Sequence, residues 1–327
     1  MGTMAISFIV SFVVAYLIGK PIIRKLQEMK FGQKILEDGP TWHMSKQYTP
    51  TMGGWIFIIS IFVAIAAAMV IAGDVSLYSV DFIVAALALV FGIIGSVDDM
   101  TKIKKKQNAG LTPIQKLLLQ IGASAIFVTV LRNLGYIEPE IFLPFIKVTI
   151  PVSWPLFLCF AIFAIVGIVN AVNLTDGIDG LATSVTMVVT LFFIAVYTIG
   201  AKAGMAVPVR FAFALLGGLL AFYLYNKFPA RVFMGDTGSL FLGGAVAGMA
   251  FAINAPFAVV TVGIIYVMET VSVILQVGYF KLTHGKRLFK MTPIHHHFEM
   301  CDWSEKKIGF VFSLITLIMS ILTYFGM

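Results

Sequence analysis

Charge is scarce in this sequence: only 12% of the 327 residues are Asp, Glu, Lys or Arg, against roughly 25% in an ordinary soluble domain. A water-solvated cytosolic fold is thereby excluded. Cysteine is scarcer still. The two present, Cys159 in an apolar run and Cys301 in a polar one, rule out a disulfide-stapled secreted scaffold. No internal repeat of about 20–50 residues is visible, which speaks against a transporter built from duplicated halves.

Apolar residues fill the space that charge leaves. They make up 59% of the chain, enough at about 20 residues per span for eight to ten membrane-crossing helices with little left over. Runs bounded by charge, Gly and Pro predict ten spans, at 4–19, 53–72, 81–97, 114–131, 154–172, 183–199, 209–225, 238–253, 257–280 and 308–325. Helices are expected, because backbone groups in lipid must be satisfied within their own segment. The fold class read from this is an all-α polytopic membrane protein, residues 1–327 forming a single domain. The first run is retained as helix one: Lys20, Arg24 and Lys25 follow it, whereas a cleavable leader carries its positive charge in front. Between Glu138 and Pro151, three prolines alternate with Phe, Ile and Val, which predicts a short hairpin lying on the membrane.

The basic residues report orientation. Of 23 Lys and Arg, 19 fall in one set of alternate loops and only Arg132, Lys147, Lys202 and Arg210 in the other. The positive-inside rule puts the first set in the cytoplasm and both termini outside. The formal charge of +7 is therefore mostly topological and does not indicate nucleic acid. Eleven of the sixteen acids and all five histidines (His43, His284, His295, His296, His297) belong to the inner loops, so one aqueous face carries the chemistry.

Four constellations lie on that face. Asp98 and Asp99 end the third span and are followed by Lys102, Lys104, Lys105 and Lys106. Adjacent carboxylates that stay ionised need a cation, whether metal or lysine; a merely solvated acidic helix end is the competing account. The run Asn170 to Ala182 contains Asn173, Asp176 and Asp179 and no Lys or Arg. It suits hydrogen bonding to a polar ligand or metal-bound water, with Asp176 and Asp179 on one face if the segment is helical; helix capping and Asx-turns compete. Tyr225 to Ser239 sets Asn226, Lys227, Arg231 and Phe233 ahead of Met-Gly-Asp236 at a helix start, where N–H groups receive phosphate. A plain N-cap explains Asp236 alone. The fourth is Pro293-Ile-His295-His296-His297-Phe-Glu299. Three consecutive histidines make a poor zinc site, but in a loop one or two can bind phosphate or shuttle protons. Glu269, inside the ninth span, is either a proton relay or a residue at a bend into a polar cleft.

Paired carboxylates, a lone Asp at a helix start, an Asn/Asp loop, histidines and basic residues on one face are the parts of magnesium-assisted phosphoryl chemistry. These four stretches resemble those of the polyprenyl-phosphate N-acetylhexosamine-1-phosphate transferases. The Pro-Ile-His-His-His-Phe-Glu run with Trp303 after it is most similar to the branch handling muramoyl-pentapeptide, and the similarity runs the length of the chain. It implies a multi-pass enzyme of the bacterial cytoplasmic membrane, its active site on the inner face. Undecaprenyl phosphate attacks the β-phosphate of UDP-N-acetylmuramoyl-pentapeptide there, giving lipid I and UMP for peptidoglycan synthesis. The resemblance also implies Mg²⁺, with Asp236 as metal ligand, and Asp98 and Asp99 orienting or deprotonating the lipid phosphate. Lys116 pairs with phosphate on this reading, and Asn173, Asp176 and Asp179 line the nucleotide cleft. Asn226 and Phe233 hold uridine, Lys46 and Thr51 close over it, and His295 and His296 contact sugar or phosphate. A homodimer is implied as well. The nearest alternative is a sister enzyme moving N-acetylglucosamine-1-phosphate. A proton-coupled transporter fits poorly, since the ionisable residues crowd one side. A CDP-alcohol phosphotransferase is disfavoured because Leu-Ala-Thr-Ser, without Ala-Arg, follows Asp179-Gly180.

Overall fold

The computed structural model describes residues 2–29, 46, 49–73, 79–105, 110–200 and 207–327; His43, Lys106 and Lys202 lie outside them. Twelve helices and one hairpin follow in order among these residues. They are α1 (Gly2–Glu28), α2 (Gly54–Ala72), α3 (Ser79–Lys105), α4 (Pro113–Asn133), β1 (Glu140–Leu143), β2 (Val148–Pro151), α5 (Trp154–Thr175) and α6 (Leu181–Thr198). Then come α7 (Val209–Asn226), α8 (Gly235–Phe251), α9 (Ala258–Val262), α10 (Ile264–Leu282), α11 (Ile294–Glu299) and α12 (Glu305–Gly326). The two strands pair antiparallel with Glu140 opposite Pro151, the hairpin expected between Glu138 and Pro151.

Nine helices among the described residues are long and apolar enough to cross a membrane: α1 to α7, α10 and α12. The expected span at 238–253 is α8, only 17 residues long. At 1.5 Å per residue it reaches about 25 Å, short of a hydrocarbon layer about 30 Å thick. It has no need to match the lipid, because it lies inside the protein, with every residue from Thr237 to Phe251 buried. The expected span at 257–280 divides at Gly263 into α9 and α10. The third span runs past its expected end at 97 to Lys105, since lysines are good helix formers. Asp98, Asp99 and Lys102 therefore stand on one helix.

Close approach around α8 is what glycine makes possible. Its neighbours include α3, with the most extensive contact, and α5. A Cβ at Gly243 would come within 2.5 Å of Val169 Cα, and one at Gly95 of α3 would run into the main chain of Asp236. Small residues at such crossings let backbones touch where lipid supplies no hydrophobic drive. The start of α4 is set locally by a capping box between Thr112 and Gln115, with proline in the first turn.

Gly95→Val is expected to lower the thermal midpoint of the detergent-solubilised protein by several degrees, overpacking costing about 1–3 kcal/mol or more. Gly122→Ala, at a position with nothing within 4 Å, is the control. Equal midpoints for both variants would show that the α3–α8 crossing tolerates separation.

Candidate active site

Asp236 is the second residue of α8, one place inside the helix that the sequence set it before. Its own main-chain N–H is capped in trans. Asp99 of α3 accepts from Asp236 N at 3.2 Å through Oδ1, and from Thr237 N at 2.9 Å and Thr237 Oγ1 at 2.8 Å through Oδ2. The side chain of Asp236 is thus released from capping and turns to three other elements. Lys102 Nζ of α3 and Lys116 Nζ of α4 each donate to Oδ2 at 2.9 Å, and Asn173 Nδ2 of α5 donates to Oδ1 at 2.9 Å. Lys102 also reaches Asp98 Oδ2 at 2.7 Å, while the N–H of Leu111 donates to Asp98 Oδ1 at 2.7 Å.

The segment before α2 closes one side. Phe233 donates its N–H to Pro50 O and accepts at its own carbonyl from Gly53, both at 2.8 Å. That short pairing lays Thr51 beside Gly235, where a Cβ would stand 2.6 Å from both Thr51 Oγ1 and Asp99 Oδ2. Gly235 takes φ +71°, a left-handed conformation that glycine adopts without strain. Asn226 is buried at the end of α7, accepting from Thr183 Oγ1 at 2.7 Å and donating to Val232 O at 3.0 Å. It shapes the loop that carries Phe233.

Residues 176–180 form a turn and not a helix, so Asp176 and Asp179 do not share a helix face. Asp179 Oδ1 accepts from Lys46 Nζ at 2.7 Å and Oδ2 from Ala230 N at 2.8 Å. Lys46 also donates to both carboxylate oxygens of Glu305, at 2.6 and 2.7 Å, and Glu305 accepts from Asp179 N at 2.9 Å. Asp176 is different: among the described residues its carboxylate receives no hydrogen bond. Burial, and then the charges of Asp236, Asp99 and Asp179, push its pKa up to about 8. The acidic cluster is short of positive charge at that point.

The three histidines lie on a short helix, α11, and diverge. His295 is buried, its Nδ1 3.0 Å from Glu269 Oε2 and its ring against Gly177. His296 Nδ1 lies 2.6 Å from Glu299 Oε2, and His297 Nδ1 accepts from Lys290 N at 3.2 Å. The fourth constellation therefore meets the second where His295 lies against Gly177.

Residues 81–254 match the model of glycosyl transferase family 4. The phospho-N-acetylmuramoyl-pentapeptide-transferase of Clostridium perfringens (strain 13 / Type A) is 46% identical over 320 residues, 97% of this chain and 96% of the relative. Those of Clostridium kluyveri (strain ATCC 8527) and Clostridium acetobutylicum (strain ATCC 824) are 43% and 44% identical, covering 98% and 100% of each chain. The chain belongs to the phospho-N-acetylmuramoyl-pentapeptide-transferase family. Two further residues of this transferase family member, Lys102 and Glu305, belong to the site. Lys102, four positions after Asp98, was signalled by the i,i+4 spacing on a helix. Glu305 carried no signal: a lone acid at a helix start reads as a dipole partner, and only the tertiary fold brings it to Lys46.

Asp176 gives a pH test. Its folded pKa lies above the unfolded value near 3.8, so its contribution to stability is full below about pH 4 and is lost as pH rises through about 8. In chelator the thermal midpoint should fall between pH 6 and pH 9, and Asp176→Asn should flatten that fall. An identical fall in both proteins would contradict the assignment.

Proposed function

We propose that this protein transfers phospho-N-acetylmuramoyl-pentapeptide from UDP-N-acetylmuramoyl-pentapeptide to undecaprenyl phosphate in the bacterial cytoplasmic membrane, giving lipid I and UMP. Its relatives over nearly the full length bear that name. The single structural observation that supports it best is the carboxylate of Asp236, reached by Lys102, Lys116 and Asn173 from three helices. Ten spans, counting α8, with both termini outside and the site toward the cytoplasm, are part of the proposal, as is the homodimer. They rest on the 19-to-4 distribution of Lys and Arg and on the family resemblance respectively.

Magnesium fits the donor set. Among the described residues no three His, Cys, Asp or Glu groups form a ready-made metal cage. Magnesium, however, characteristically takes one or two carboxylates and completes its shell with water and substrate phosphates. Asp236 is the proposed ligand, and Asp176, which receives no hydrogen bond among the described residues and is held toward its neutral form, offers a hard oxygen whose ionisation such an ion would favour. With magnesium bound, the diphosphate is neutralised and its phosphorus made easier to attack.

The chain's own residues do the rest. Lys102 and Lys116, which donate to the Asp236 carboxylate, exchange it for phosphate oxygens as the diphosphate arrives, spreading the charge that develops on transfer. Asn173 remains on Asp236 and Ser239, to whose Oγ it donates at 2.7 Å, and keeps the carboxylate oriented. A lipid phosphate oxygen bonds to the β-phosphorus, the bridge to the α-phosphate breaks, and the electron pair leaves with UMP. Direct attack is favoured over a phospho-aspartate because both oxygens of Asp98 and both of Asp99 are already engaged. A phosphomonoester, with its second pKa near about 6, is largely a dianion at neutral pH and needs little deprotonation. In this picture Asp99 fixes the start of α8, while Asp98 holds Lys102 in place. Lys46 and Thr51, with Asn226 and Phe233, border the proposed uridine end of the cleft, and His295 and His296 its sugar end.

Purified protein given undecaprenyl phosphate and Mg²⁺ is expected to release UMP from UDP-N-acetylmuramoyl-pentapeptide and not from UDP-N-acetylglucosamine; the reverse would reassign it to the sister reaction. Asp236→Ala should abolish turnover, and a variant that keeps it would remove this carboxylate from the chemistry.

A further inference from the structure

The proposed reaction leaves Glu269 without a part. It sits in α10 with no exposed surface, in a helix apolar enough to span the membrane, where a carboxylate is costly unless something compensates it. An apolar side chain would fill such a position more cheaply. The group that meets it is His295: the ring Nδ1 stands 3.0 Å from Glu269 Oε2 and the main-chain N–H of the same residue 3.4 Å from it. Both the imidazole and the start of α11 are therefore tied to one oxygen. Neighbouring acids are spoken for elsewhere, Glu299 by His296 and Glu305 by Lys46 and Asp179 N.

A carboxylate on Nδ1 determines what the other ring nitrogen presents. With Nδ1–H donating to Glu269, Nε2 is turned to the opposite edge of the ring. That atom is buried and has no hydrogen-bond partner among the described residues. It lies against Gly177, where a Cβ would overlap it, in the turn that carries Asp176 and Asp179. A buried polar atom left unpaired costs roughly 1–3 kcal/mol, and here it faces the loop that borders the substrate cleft. We infer that Glu269 is a positioning residue, which holds His295 with Nδ1 toward the bundle and Nε2 toward the 176–179 turn, ready for a phosphate or sugar oxygen of the substrate. The inference rests on the proposed reaction and gives one histidine of the run a defined direction.

The test is a double-mutant cycle on UMP release. Glu269→Leu should lower kcat about 10- to 100-fold, the scale on which carboxylate partners of functional histidines act. KM for the nucleotide sugar should stay within about threefold. Glu269→Gln, which still accepts from Nδ1–H, should lose less. In a His295→Ala background, Glu269→Leu should have no further effect. The same loss in both backgrounds would make Glu269 a general structural residue and overturn the inference. Should His295→Ala leave too little turnover to compare, an electron cryo-microscopy structure of Glu269→Leu decides: the imidazole is expected to swing off Gly177, and a ring that stays in place overturns the inference. A wild-type protein that releases no UMP would sink the reaction instead, and the ring position in that variant would then judge the Glu269–His295 pairing by itself.

Discussion

Asp236 binds the active face together. Its carboxylate gathers ammonium groups from α3 and α4 and an amide from α5, while the main chain around it is held by Asp99 of α3. No one of these helices could hold a charge so largely buried alone. Taking away one partner of a buried ion pair typically costs about 3–5 kcal/mol, because the other charge stays behind unpaired. The cluster and the bundle consequently stabilise each other. Glycine at 95 and 243 lets α8 come close enough to deliver Asp236 to its partners, and the charges fix where α8 begins.

The same cluster is unbalanced where substrate is expected. Asp98 and Asp236 share two lysines, Asp99 is held by N–H and hydroxyl donors at the start of α8, and among the described residues Asp176 has neither. An excess of carboxylate beside a pair of lysines repels a free phosphate but accepts one that arrives with a divalent cation. A site of this kind is preorganised for charge exchange: lysines leave carboxylates for phosphates without moving far, so little reorganisation accompanies transfer. The Lys46–Asp179–Glu305 bridge and the Glu269–His295 pair lie on the two other sides of the 173–180 segment. That short acidic turn is the hub on which the ion pair to Lys46 and the contact with His295 converge.

Much of this was legible in the sequence because it is local. Apolar runs show as helices wherever lipid leaves the backbone no other way to satisfy itself, and the hairpin at 140–151 followed from its prolines. The four polar stretches stood out because nothing in a lipid-facing helix calls for Asn, Asp or His. Division of labour was not legible. Asp99 and Asp236 look equivalent as acids beside helix ends, yet one caps a helix 137 positions away and the other is gripped by Lys102, Lys116 and Asn173. The break at Gly263, the shortness of α8 and the link from Glu305 to Lys46 depend on partners distant in the chain, and periodicity carries no record of them. The histidine run divides its labour too. Its residues are adjacent in sequence but, once helical, face three directions.

The most direct measurement is an electron cryo-microscopy structure of the protein with Mg²⁺ and UDP-N-acetylmuramoyl-pentapeptide in the absence of lipid acceptor. The diphosphate and metal are predicted at Asp236, with the ammonium groups of Lys102 and Lys116 moved from its carboxylate onto phosphate oxygens. A diphosphate seated elsewhere, with both lysines still on Asp236, would contradict the account.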